Sequence, residues 1–472
     1  MEKSVRKIIA LIAVFAFLPT AIFSQATTRK ESVDSLIVGG TVVTMDSKRT
    51  ILNDGAVAVR GGQIIAVGES KELLSKYRSL SVVDAKGKVV IPGLINTHTH
   101  APMTLFRGLA DDLDLQEWLT QHIFPAEAKN VDEKFVRAGT RLALVEFIRG
   151  GTTTFNDMYY FEDAIAEETA KAGMRAVLGQ TLIDFPAPDF KTFDSALEAA
   201  KTFVTKWRNH PLITPAIAPH APYTVSTEHL LKSRKLADEL QAPIHIHVAE
   251  AADETEYVQK NHKGLRPIEY LEKIGFFGPK TIAAHVIQAN ENELLILKNR
   301  EVGIAHNPQS NMKLAAGVAP VPAMLKLGMR VGLGTDGAAS NNDLNLWEEM
   351  DTAAKLHKVF LGDPKVASAE EMFTMATIGG ARALHLEDKV GSIEIGKRAD
   401  IVIVDFDRPN QTPLYNIYSH LVYATKADSV HSVMIEGRWV MKAKRLLTLD
   451  ESAIKRVANA YHKQVIESFK TR

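Results

Sequence analysis

Two histidines one residue apart, His98-Thr99-His100, close an apolar run that begins at Val89. In an extended strand, side chains two apart leave the same face, so both imidazoles are expected to address one space. Neutral imidazole suits Zn²⁺ and Fe²⁺, which makes such a pair a natural half of a metal site. Core histidines produce the same pattern, so the pair is weak evidence taken alone. Three other segments strengthen it. Ile244-His245-Ile246-His247-Val248-Ala249-Glu250, Ala283-Ala284-His285 and Gly334-Thr335-Asp336 each end a short apolar stretch in side chains that bind metals or move protons. Three or four protein ligands with one position left for water is what a catalytic metal needs.

These residues can act together only if the strands carrying them end on one face. Short apolar strands are expected to begin at Val89–Asn96, Thr152–Asp157, Ala176–Ile183, Leu212–Pro219, Ile244–Val248, Thr281–Ala284, Val302–Ala305 and Arg330–Gly334. Helical periodicity fills the gaps, as over Asp132–Arg149. Eight strand–helix repeats in about 300 residues match a (β/α)₈ barrel, whose strand C-termini share the active-site face. Periodicity alone leaves a doubly wound open sheet possible. With no glycine-rich phosphate loop at the strand ends, closure is favoured and no nucleotide cofactor is indicated. The barrel is placed at residues 91–390.

The flanks read differently. Between residues 33 and 90, short β-like runs alternate with Gly39-Gly40, Asn53-Asp54-Gly55 and Arg60-Gly61-Gly62 turns, and the same texture returns over 391–445. One small β-sandwich domain built from both chain ends is expected, two separate β appendages being the other reading. Residues 446–472 are expected to form a C-terminal helix.

The 472 residues are 46% hydrophobic and 24% charged, with 56 basic and 56 acidic side chains. That balance argues against a polybasic nucleic-acid binder and against an acidic disordered tail. There is no cysteine, hence no disulfide, thiolate ligand, iron–sulfur cluster or thiol nucleophile. Residues 1–26 have the basic, apolar and small-residue order of a secretory signal peptide, with cleavage expected after Ala26 or Ser24. The apolar run Ile8–Phe23 is short for a membrane span, although an uncleaved anchor remains the competing reading. A secreted or periplasmic location is expected.

Pro92-Gly93-Leu94-Ile95-Asn96-Thr97-His98-Thr99-His100-Ala101-Pro102-Met103 resembles the opening of the amidohydrolase superfamily. More closely it resembles the 5-methylthioadenosine/S-adenosylhomocysteine deaminases and their chlorohydrolase-like relatives. Residues 218–226 (APHAPYTVS), His247-Val248-Ala249-Glu250, His306-Asn307-Pro308 with Ser310-Asn311, and residues 334–342 (GTDGAASNN) extend the likeness over nearly everything after the export segment.

The resemblance implies that His98, His100, His247 and Asp336 hold one divalent metal, zinc before iron(II), with His245 deeper in its strand. His220 stands at the end of the fourth strand, where two-metal relatives carry a lysine. It further implies that Asp336 accepts the proton of a water acidified by the metal, that His285 orients or relays, and that Glu250 protonates a ring nitrogen of the substrate. Glu127 is matched to the carboxylate that grips ribose hydroxyls, and a plain acid at a helix start is its competing account. His220 and Glu250 are further substrate contacts, and Trp118 and Met103 are candidate pocket walls. Gln180 stands where some relatives bind a substrate carboxylate through arginine, which weakens the case for S-adenosylhomocysteine. The implied activity is hydrolytic deamination of an adenosine-like nucleoside to the inosine form with loss of ammonia. Deamination or dechlorination of another heterocycle (triazine, guanine, pterin) is the alternative, and a non-catalytic binding protein a more distant one. The expected partners are a purine nucleoside or related heterocycle and further copies of the chain, with no nucleic acid and, after cleavage, no membrane.

Overall fold

The computed structural model describes residues 30–470, so the expected signal peptide, 1–26, and residues 471–472 lie outside it. At its centre stand eight parallel strands: β1 (Leu94–Thr99), β2 (Thr152–Tyr159), β3 (Arg175–Leu182), β4 (Ile213–Pro219), β5 (Ile244–Val248), β6 (Thr281–His285), β7 (Gly303–His306) and β8 (Arg330–Leu333). They neighbour one another in chain order, as right-handed βα repeats require. The last strand returns to the first: the Asp336 N–H donates to the His98 carbonyl at 2.9 Å and the Thr335 N–H to Asn96 Oδ1 at 3.1 Å. A Cβ at Gly334 would lie 2.8 Å from His98 N and 2.3 Å from Asn307 Oδ1, so only glycine lets β8 close on β1. Strands buried on both faces read as continuous apolar runs, which is why these segments lack the alternation of half-exposed strands.

The expected first strand, Val89–Asn96, is in fact two. Lys88–Pro92 belongs to the other sheet, and β1 starts only at Leu94. Pro92 has no N–H to continue a ladder, and the Gly93 N–H turns aside to the Asp400 carbonyl at 2.9 Å. A Cβ on Gly93 would lie 1.9 Å from Thr153 Oγ1, so the crossing from one sheet to the other needs glycine.

That other sheet has nine strands and draws on both chain ends. Lys88–Pro92 is the seam, antiparallel to Ile401–Asp405 on one side and parallel to Ser35–Val43 on the other. The sheet curls until its edge strand Gln63–Glu69 meets the chain entering Ile401, with the Ile64 N–H on the Lys397 carbonyl at 2.9 Å. Ile37, Val57, Val90, Ile401, Ile403 and Met434 gather in the core it encloses, giving the small β-sandwich domain. Arg175, at the start of β3, ties barrel to sandwich. Its guanidinium reaches Asp400 at 2.7 and 3.1 Å and Glu436 at 2.5 Å.

Four helices matter for the site: α1 (Phe124–Asn130), α2 (Glu133–Gly150), α3 (Ala252–Asn261) and α4 (Glu451–Lys470). Asp132 caps α2 by accepting from the Phe135 N–H at 2.8 Å, and Gly151 ends it in the left-handed conformation. No helix among the described residues is long and apolar enough to cross a membrane.

Candidate active site

The predicted strand-end residues do converge. Ligand atoms of His98, His100 and His247 lie within 4.8 Å of one another, as do those of His98, His285 and Asp336. Asp336 Oδ1 is 3.3 Å from both His98 Nε2 and His100 Nε2. The rings are set by bonds on their far sides. His100 Nδ1–H donates to the Met158 carbonyl at 2.7 Å, and His247 Nδ1–H to the His220 carbonyl at 2.8 Å. Each bond fixes a tautomer that leaves the Nε2 lone pair free to ligate. His98 Nε2 is buried without a hydrogen-bond partner, although such atoms ordinarily find one. Three imidazole lone pairs and a carboxylate facing one point suit a divalent cation, and the residues fit the metal the sequence implies.

His245 lies beneath this cluster, its Nε2 3.1 Å from His98 Nδ1 and its ring in reach of Asn156 Nδ2. His306 is also buried but pairs with His357 at 3.2 Å. Neither His245 nor His306 lines the cavity above the cluster.

That cavity is walled by His100, Met103, Trp118, Glu127, Tyr159, His220, Tyr223, His247, Glu250, His285 and Asp336. Every predicted catalytic and substrate residue is present, and so are the two suggested wall residues. Gln180 is not: its amide turns to Asp189 Oδ2 at 2.8 Å, outside this cavity. The enclosed room is about 60 Å³, less than the roughly 300 Å³ at the low end of small-molecule sites. A nucleoside therefore requires wall residues to move outward.

Electrostatics follow from burial and neighbours. Burial pushes the Glu250 carboxyl above its ordinary value; His285 opposes that and Asp336 adds to it. Glu250 Oε1 stands 3.6 Å from His285 Nε2, and His285 Nδ1–H is held by Asn311 Oδ1 at 2.9 Å. Burial also lifts Glu127 to about 7, against the bond it accepts from the Tyr159 hydroxyl at 2.7 Å. His220 falls to about 3, through burial and then the nearby His100 and His98. His98 falls to about 4, burial outweighing Asp336. For His100, burial is the largest single influence, yet Asp336, Asp157 and the Met158 carbonyl together overcome it and favour a proton on the ring, which a cation bound at Nε2 would displace. Asp336 stays well below the usual carboxylate range: burial works against it, but both imidazoles stabilise its charge. It also accepts from Ser310 Oγ at 2.7 Å, Ser340 Oγ at 3.0 Å and the Gly337 N–H at 2.7 Å.

Several supports escape sequence reasoning. Asp157, on β2, accepts the Ala101 N–H at 2.5 Å just past His100, and burial holds it at about 7. Its place near a strand end was the available signal. Tyr159 carries no spacing signal; Ser310 and Asn311 fall in the motif that follows His306-Asn307-Pro308, but their roles were not legible there because each acts through a partner distant in sequence.

The sequence profile described as "Amidohydrolase family" matches residues 89–440. The chain belongs to the amidohydrolase family.

Among curated relatives, the 5-methylthioadenosine/S-adenosylhomocysteine deaminase of Syntrophobacter fumaroxidans is 49% identical over 417 residues, covering 88% of this amidohydrolase and 95% of that protein. Among solved structures, an adenosine deaminase from Xanthomonas campestris with bound zinc superposes with a TM-score of 0.91 at 39% identity, covering 93% of this chain and all of that one. The atrazine chlorohydrolase of Arthrobacter aurescens, complexed with zinc, gives 0.83 at 24% identity over 90% of this chain and 99% of its own. That last likeness speaks for the fold alone.

Proposed function

We propose that this amidohydrolase is a metal-dependent hydrolytic deaminase of adenosine-like nucleosides, releasing ammonia from the 6-amino position. The observation that carries the reading is a buried carboxyl, Glu250, raised above its ordinary value by burial and set beside the imidazole cluster in a cavity that the buried Glu127 also lines. The deaminase named for Syntrophobacter fumaroxidans and the adenosine deaminase of Xanthomonas campestris support the same substrate class.

His98, His100, His247 and Asp336 would hold one metal ion, zinc being favoured by the zinc-bound relative. Bound there, the metal supplies a water acidic enough to attack carbon near neutral pH. The rest is the work of side chains. Glu250, biased toward its protonated form by burial, donates to the ring nitrogen next to the attacked carbon, where negative charge would otherwise build. His285 Nε2 faces that carboxyl and can accept or return a proton while Asn311 fixes its ring. Asp336 remains ionised and serves as proton acceptor. Glu127 accepts hydrogen bonds from two ribose hydroxyls, orienting the sugar away from the metal ligands. His220 stays uncharged and contacts the nucleoside, its Nδ1 engaged with Thr224 Oγ1 at 2.9 Å.

Ammonia release from 5′-methylthioadenosine, adenosine and S-adenosylhomocysteine by zinc-loaded protein tests the reading; silence with all three overturns it. We also propose export by the N-terminal segment, tested by whether the mature chain begins at Thr27 or Gln25. Assembly into a homo-oligomer is tested by sedimentation.

A further inference from the structure

We infer that Glu254 is a positioning residue for Glu250: its carboxylate clamps the turn that aims the proton donor. This inference rests on the deaminase reading of Glu250.

β5 delivers His247 and stops at Val248. At Ala249 the backbone swings into the left-handed region, φ 54°, where a residue with a Cβ is disfavoured. The turn leaves two successive backbone N–H groups pointing inward. Both are taken by one side chain from the first turn of α3: Glu254 Oε1 accepts from Ala249 at 2.9 Å and Oε2 from Glu250 at 2.7 Å. The carbonyls of the same turn are pinned on its other side, Val248 by the Val286 N–H at 3.0 Å and Ala249 by the Gln288 N–H at 2.9 Å. Glu254 is 1% exposed, and no cation pairs with it among the described residues.

A buried carboxyl without a cation is held at a cost: burial works against its charge, and the two N–H bonds it accepts oppose that. What it secures is the direction of Glu250, whose carboxyl must stay within proton-transfer distance of the substrate ring and beside His285. Two acceptors on one rigid group do this where an amide cannot. Glutamine at 254 would offer one oxygen and set an NH₂ donor against the second N–H.

The test compares wild-type protein, Glu254→Gln and Ala249→Gly, each loaded with zinc, by steady-state kinetics on 5′-methylthioadenosine, amide hydrogen exchange and thermal melting. For Glu254→Gln, kcat is expected to fall about 10- to 100-fold with KM within about three-fold, bound zinc unchanged, exchange at residues 249 and 250 accelerated and the kcat–pH profile displaced. Ala249→Gly relieves the backbone strain while slackening the turn, so its kcat is expected to fall with no loss of melting temperature. Should Glu254→Gln fail to fold, Ala249→Gly decides alone. Undiminished kcat in either soluble variant, or losses of kcat that merely follow losses of zinc, overturns the clamp. A wild-type protein that releases no ammonia overturns the deaminase reading instead.

Discussion

The carboxyl of Glu250, buried beside His285, separates this site from a plain metal-binding cluster. Replacing Glu250 with glutamine keeps the shape and removes the acid; kcat is expected to fall about 10²- to 10⁴-fold while zinc stoichiometry stays at the wild-type value, measured by elemental analysis. Glu127 gives the complementary test. Hydroxyl donors prefer its ionised form, so riboside binding should strengthen as pH rises through about 7 and weaken below it. The same shift acts oppositely on the fold. Between the ordinary value of 4.5 and about 7 the folded state holds a proton that the unfolded state releases, so this group's contribution to stability declines as pH rises across that window. In Glu127→Gln both dependences should flatten, with kcat/KM for ribosides down about 10- to 100-fold, the worth of charge-assisted hydrogen bonds. A heterocycle lacking ribose should be unaffected by the same change.

At the scale of elements, the strand termini explain why these residues meet and the glycines explain how the strands get there. Gly93→Ala is expected to destabilise by at least about 1–3 kcal/mol, read by chemical denaturation, since its methyl would overlap Thr153. The wall from Leu115 to Phe124 is the other element with a testable role. It includes Trp118–Ile123, a stretch of wide π-type turns of the kind that recurs at functional sites, and it covers a cavity too small for a nucleoside. Binding of a non-hydrolysable nucleoside should change amide exchange over 115–130 more than over the buried strands. The strand ends were legible because a metal needs particular side chains at particular offsets along a chain. The break at Gly93 was not, since the apolar run Val89–Ile95 reads straight across Pro92-Gly93 and only the separate partners of Lys88–Pro92 and Leu94–Thr99 distinguish the two strands.

The whole molecule holds the barrel against the sandwich through Arg175, whose partners Asp400 and Glu436 both come from the C-terminal part of the chain. Arg175→Met leaves Asp400 buried without its guanidinium and is expected to cost about 3–5 kcal/mol, seen as a lowered melting temperature. Exchanging Arg175 and Asp400 together for apolar residues should recover much of that loss. α4, from the same end of the chain, packs on α1 and α2. Tyr461 packs edge-on against Phe135 of α2 at 5.4 Å, and Ser468 Oγ accepts from Asn130 at 2.9 Å, at the end of the helix that carries Glu127.

Residue types and offsets along the chain were enough to lay out the eight-strand plan and to bring imidazoles and carboxylates to the strand ends; the choice of His98, His100, His247 and Asp336 as ligands and of Glu250 as acid came from the family resemblance. Those features are local: a strand presents alternate residues to one face, and a motif keeps its spacing wherever the chain goes. Tertiary structure alone decided which bonds lock each imidazole tautomer, that Gln180 faces away from the cavity, and that Asp157 and Glu254 brace the turns beyond His100 and His247. Hydrogen bonds and burial between segments far apart in sequence depend on how closely the folded chain brings them, and no spacing within one strand encodes that distance.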